Sequence, residues 1–222
     1  MTVRSCRAPG CGARTSRYGA FCQTHRSRSR RHGHPEQESI TKADLTPHLK
    51  LVRARIARNE TSPLWAECEA RWNAVLEHAR RVLAAFQRGQ AGYRPDRIAA
   101  QEVVQLASNV EPLRVLDTTF AMFLLQDRQP RQFRSDAAFR FQLVRRLRGL
   151  TELNAGSWYN HKTGKTHKAY RELTPRAVMV FGQWVADALG GVGLYLAKLE
   201  REQEEAKQQQ MRSLAGALEA LQ

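Results

Sequence analysis

The chain has 222 residues, a formal charge of +15 and 26% charged side chains, enough for one helical domain with a small appendage. A field of that sign gathers polyanions, so nucleic acid is the first partner to expect and an anionic membrane the second. No stretch reads as apolar enough to cross a bilayer and no signal peptide is visible, so the expectation is a cytoplasmic protein without membrane contact.

The first chemistry along the chain is Cys6, Cys11, Cys22 and His25, spaced C-x4-C, ten residues, then C-x2-H. Three thiolates and an imidazole are the Cys3His set of structural zinc, and in a reducing cytosol clustered cysteines point to a metal rather than to disulfides. About 35 residues without a long apolar run cannot bury a core, so Zn2+ is expected to supply the folding energy of this segment. Pro9-Gly10-Cys11-Gly12 has the composition of a tight knuckle, residues 17 to 21 suit a short strand, and Cys22-x2-His25 suits the opening of a helix. His32 and His34 rank below His25 as ligands because they sit beside Gly33 and Pro35.

Residues 1 to 35 carry eight arginines with no acid and no lysine. Arg26, Arg28, Arg30 and Arg31 fall on or just after the helix that opens at the third cysteine, where guanidinium groups can grip phosphates bidentately. The text CRAPGCG, YGAFCQTH and RSRSRRHGHP resembles the short treble-clef-like zinc modules at the N-termini of phage and prophage HNH-type proteins. That resemblance covers about 35 residues; it implies DNA-associated proteins of mobile elements and carries over no catalytic activity.

From Thr41 onward the periodicity is helical. Ser62-Pro63 starts a helix running to about Gln87, with Trp65, Cys68, Trp72, Val75, Leu76, Ala79, Val82, Leu83 and Phe86 on one face; Cys68 is expected as a core thiol. Further helices are predicted from Pro95 to Asn109, from Pro112 onward with Leu113, Leu116, Phe120, Phe123 and Leu124, from Ser135 to Gly149, and from Thr174-Pro175 to a stop at Gly190-Gly191. A last amphipathic segment, about Gly193 to Leu221, carries Leu196, Leu199, Ala206, Leu214, Leu218 and Leu221.

The helix from Ser135 places Phe139, Leu143, Leu147 and Leu150 on one side and Gln142, Arg145 and Arg146 on the other, with Arg140 near the apolar arc as the place for a buried ion pair or a ligand contact. A β-hairpin is predicted at 157 to 171, turning at Gly164 and carrying Lys162, Lys165 and Lys168. A basic helix followed by a basic hairpin is the layout of a winged-helix-like unit.

The fold expected is mainly α: a zinc module (1 to 35), a linker and first helix (36 to 61), a helical domain with the hairpin (62 to 192) and a C-terminal helix (193 to 222). The function expected is non-enzymatic binding of nucleic acid, DNA before RNA, in a mobile element or nucleoprotein complex. A second reading is an adaptor that recruits protein subunits through the zinc module or the last helix. A nuclease of HNH type ranks third, because His161 and His167 lack the surrounding pattern such a site needs.

Overall fold

The computed structural model describes residues 4 to 16 and 18 to 219, so Arg17 and Leu221 lie outside the described residues, as do the side chains of Lys168, His167 and Leu218. In chain order come α1 (Gln23–His32), α2 (Lys42–Arg58), α3 (Pro63–Gln87), α4 (Arg94–Ala107), α5 (Pro112–Arg128), a 3-10 turn (Pro130–Gln132), α6 (Asp136–Arg148), the antiparallel strands β1 (Ala155–Asn160) and β2 (Lys165–Tyr170), and α7 (Pro175–Glu219).

Local chemistry sets most of these boundaries. Thr41 and Asp44 close a reciprocal capping box on α2, and the Ser62 hydroxyl accepts from the Leu64 amide with Pro63 in the first turn of α3. Ser135 accepts from the Ala138 amide at 3.1 Å to start α6. The chain leaves α3 through Gly89 at φ +75°, a left-handed conformation that glycine adopts without strain.

Helix α5 is the centre. Every residue from Val115 to Leu125 is buried, because α2, α3, α6 and α7 pack around it. A helix enclosed on all sides is apolar nearly all round, and here it also buries Asp117, Thr118 and Thr119. Arg53 donates to Asp117 at 2.8 Å. Leu113, expected in the core, is instead 47% exposed at the open end of the helix. Cys68 and Trp72 are buried as expected.

The expected stop at Gly190-Gly191 is not made: α7 runs unbroken for 45 residues. Its glycines permit close approach rather than a turn. A Cβ on Gly193 would lie 2.5 Å from Phe123 Cδ2, one on Gly190 3.2 Å from Phe123 Cζ, and one on Gly182 2.9 Å from Arg140 Cβ. Bare backbone thus lets α7 settle onto α5 and α6. The expectation of no membrane-length apolar stretch is also corrected: an 18-residue window of α7 reaches mean hydropathy 1.4, and 50% of that window is buried. Val178, Phe181, Val185, Leu189, Leu196 and Ala197 form its side of the core. Beyond the ion pairs Arg55–Glu200, Arg128–Glu204 and Arg201–Asp127, residues 205 to 216 are exposed.

Helix α6 requires a second correction. Gln142, expected on the outer face, is fully buried, and Arg145 and Arg146 are only partly exposed. Helix α1 packs on that face of α6. Gln142 accepts from the Ile40 amide at 3.0 Å and lies 3.1 Å from His32 Nδ1. Gly33, at φ +79°, comes so close that an added Cβ would sit 2.8 Å from Phe141 Cδ2. The following loop is clamped by Gln37, whose side chain donates to Gln132 O at 2.9 Å and accepts from the Arg134 amide at 3.0 Å. Arg140 lies against Gly182 through its stem; the buried ion pair of α6 belongs instead to Arg148, which meets Glu102 at 2.8 Å with both side chains 7% exposed.

Candidate metal centre and basic surface

A short hairpin and a helix start build the metal centre. Ser5 and Arg14 form an isolated antiparallel bridge, reinforced by Cys6 N–H to Ala13 O at 2.9 Å and Thr15 N–H to Arg4 O at 3.0 Å. The turn between them passes through Gly10 at φ +69°. The strand expected at 17 to 21 is not formed among the described residues; Ala20 contributes one bond, accepting from the Arg7 amide at 2.9 Å. Cys22 is the residue before the first turn of α1 and His25 stands within that turn, as the spacing predicts.

The four ligand atoms all lie within 4.8 Å of one another. Cys6 Sγ is 3.4 Å and Cys22 Sγ 3.2 Å from His25 Nδ1, and the sulfurs of Cys11 and Cys22 are 4.0 Å apart. Tetrahedral zinc with ordinary bond lengths would set its ligands about 3.8 Å apart for two sulfurs and about 3.6 Å for sulfur and nitrogen. The sulfur–nitrogen edges are a few tenths of an ångström shorter than the ideal and the sulfur–sulfur edge is slightly longer, so the cluster is of a size to hold a metal ion and its donors suit zinc. Neither substitute histidine takes part: His32 bonds to Gln142, and His34 Nδ1 accepts from the Glu36 amide at 3.2 Å.

Protonation equilibria point the same way. Burial raises the Cys6 thiol, but the amides of Cys22 and Ala8 and the thiols of Cys11 and Cys22 outweigh it and bring it down to about 6. At Cys11 the Ala13 amide lowers the thiol, yet burial and the neighbouring Cys6 and Cys22 leave it raised. One thiolate forms readily and the next is resisted by the first. A divalent cation removes that conflict.

Helix α1 carries the arginines away from this centre. Arg26, Arg30 and Arg31 line a cleft of about 420 Å³ whose lining also includes Glu172 and Leu173, just before α7, and Pro175, its first residue. Arg31 also borders a small neighbouring recess with Arg145, Arg148 and Tyr170. Among the described residues Arg26, Arg28, Arg30 and Arg31 form no ion pair, and Arg145 meets Glu172 at 3.4 Å. His32, beneath them, is pushed below its ordinary value by burial and then by Arg145, Arg28 and Arg31, with Glu172 acting the other way. Arg146 is lowered by burial and by Arg145, against the pull of Tyr170 and Asp44, and its Nε is buried without a partner.

The structure therefore brings Arg26, Arg30, Arg31 and Arg145 around one region, with Arg28 close enough to act on His32. Lys162 and Lys165 are exposed at the hairpin tip, where Gly164 turns at φ +63°; Lys168 belongs to β2 by its backbone. Glu172, the lone acid in the cleft lining, was not singled out from the sequence, because nothing local marks it as the residue that α1 will face. No family model, curated protein or solved structure matches the chain.

Proposed function

We propose that this is a zinc-containing, non-enzymatic nucleic-acid-binding protein, DNA favoured over RNA, in which the metal holds α1 in place as an arginine-bearing helix. The observation that carries the reading is the cleft where Arg26, Arg30 and Arg31 stand against a single carboxylate, Glu172. Uncompensated guanidinium groups crowded into one cleft favour a polyanion, and phosphates match their bidentate donors. The resemblance of the first module to DNA-associated zinc modules of mobile elements supports the same reading. Four free cysteines and the core-facing apolar side of α7 support a reducing, cytoplasmic setting.

The test is a binding survey on metal-loaded full-length protein. Affinity should fall steeply with salt. Arg26, Arg30 and Arg31 replaced together by alanine should weaken binding to all sequences and flatten the salt slope by about 1 for each phosphate no longer gripped. Absence of binding to any nucleic acid at low salt defeats the proposal, and magnesium-dependent cleavage that disappears in His161→Ala would replace it with a nuclease.

One observation favours the second reading, an adaptor in a nucleoprotein assembly. Residues 205 to 216 of α7 are exposed, with Met211 62% and Leu214 54% exposed, apolar side chains that a partner helix would cover. Sedimentation of the purified chain discriminates: a monomer that binds nucleic acid tightly by itself disfavours the adaptor.

A further inference from the structure

The hairpin shows a feature that phosphate binding does not use. Trp158 and Tyr159 are each 53% exposed, although aromatic side chains are the costliest to leave in water. They are neighbours on β1, opposite His167 and Thr166 of β2, so they present rings to the two opposite faces of the ribbon. Tyr159 meets His161 edge-on, with ring centroids 5.0 Å apart. The stretch from 153 to 171 contains no acid, and Lys162 and Lys165 are exposed at the turn.

The ribbon packs chiefly on itself, β1 against β2, yet its root is fixed. Arg171 N–H bonds to Asn154 O at 2.9 Å, and Asn154 Oδ1 accepts from Arg148 Nη2 at 2.8 Å. Arg148 is in turn held by the buried Glu102 carboxylate. An exposed aromatic ribbon thus stands on a buried ionic anchor.

We infer that the hairpin is a stacking platform for unpaired bases, so the preferred partner is single-stranded nucleic acid. This rests on the nucleic-acid reading above and deepens it. Aromatic rings among cations with no acid are what single-strand binders use, because every base has a π-face to lay on a ring. A duplex hides those faces within its own stack. The same residue types occur at membrane interfaces, but an interfacial element gathers its rings on one face, whereas Trp158 and Tyr159 are on opposite faces. The single strand is the occupant that can use both.

The experiment measures anisotropy of full-length, metal-loaded protein with a labelled mixed-sequence single-stranded DNA, the matching RNA, the corresponding duplex, and anionic phosphatidylserine vesicles. Trp158→Val and Tyr159→Val keep a strand-forming residue while removing the ring; Trp158→Phe and Tyr159→Phe keep a ring. The single strands should bind tighter than the duplex. Each valine variant should lose about 5-fold or more for single strands with little change for duplex, and each phenylalanine variant should recover most of the loss. Equal affinity for duplex and single strand, or valine variants that bind like the parent, overturns the platform while leaving the arginine cleft standing. Vesicle binding that needs Trp158, without a single-strand preference, assigns the hairpin to a membrane surface and overturns it too. If no nucleic acid binds, both the platform and the reading beneath it fall.

Discussion

The candidate metal module and the helical body differ in how much apolar surface they bury. The module's buried cluster is Cys6, Ala8 and Cys22 with Cys11 and Phe21 against it, and α1 itself buries no residue. The body gathers Trp72, Phe120, Phe181, Leu143, Leu189 and many others in one core. A cluster of that small size cannot offset the entropy of ordering its own backbone, while the body's can. The contrast teaches that where so little apolar area is buried, a bound metal would have to stand in for it, and that α1's surface is left open for arginines. A helix stabilised by burial would have had to use that surface for packing.

The largest test of this contrast is metal removal. Cys11→Ser, Cys22→Ser or a strong chelator should release zinc and unfold residues 4 to 32, at an expense bounded by the roughly 10–16 kcal/mol of structural zinc binding. Hydrogen exchange should show protection lost there and kept in α3 to α7. Full zinc content in both serine variants breaks the comparison.

Next is the body's own ionic centre. Glu102→Ala strands the buried Arg148 and should destabilise the body by about 3–5 kcal/mol in urea denaturation, with zinc content unchanged. The joint between the regions comes third. Gly33→Ala puts a Cβ at φ +79° and 2.8 Å from Phe141, and should weaken docking of α1 on α6 by about 1–3 kcal/mol. Faster exchange at α1 with zinc still bound is the expected signature; unchanged exchange shows that α6 does not hold the module.

The smallest effect separates the two regions by pH. His48 is 3% exposed, and burial, aided by Arg128, pushes it below its ordinary 6.5. The unfolded chain therefore binds the proton more readily, so the contribution of neutral His48 is full above 6.5 and is lost as pH falls through its lowered folded value. The urea midpoint of the body should drop between pH 7.5 and pH 5.5, and His48→Leu should shrink that drop. A midpoint insensitive to acid, with His48 in place, shows that the imidazole is not held neutral.

Much of this was legible in the sequence, for reasons that can be named. The metal set was readable because ligand identity and short spacing fix geometry locally, through the knuckle at Gly10 and the helix start after Cys22. Helix starts at Ser62-Pro63 and Ser135 were readable because a side chain caps its own backbone within three residues. The hairpin followed from its turn. The stop expected at Gly190-Gly191 is not made because sequence shows the missing side chain at Gly190 and not Phe123, the ring that occupies its place. Gln142 was misplaced because periodicity marks polar residues as outward, and only α1 folding back over α6 turns that face inward.

Taken alone, the sequence determined the charge, the four candidate ligands and the helical and hairpin segments, all properties of residues near one another in the chain. Only the tertiary structure decided that α7 is one helix, that Arg148 rather than Arg140 carries the buried ion pair, and that Arg26, Arg30 and Arg31 share a cleft with Glu172. The physical reason is the same in each case: these relations join residues far apart in the chain, and such pairs meet only after the core has chosen which surfaces lie against one another.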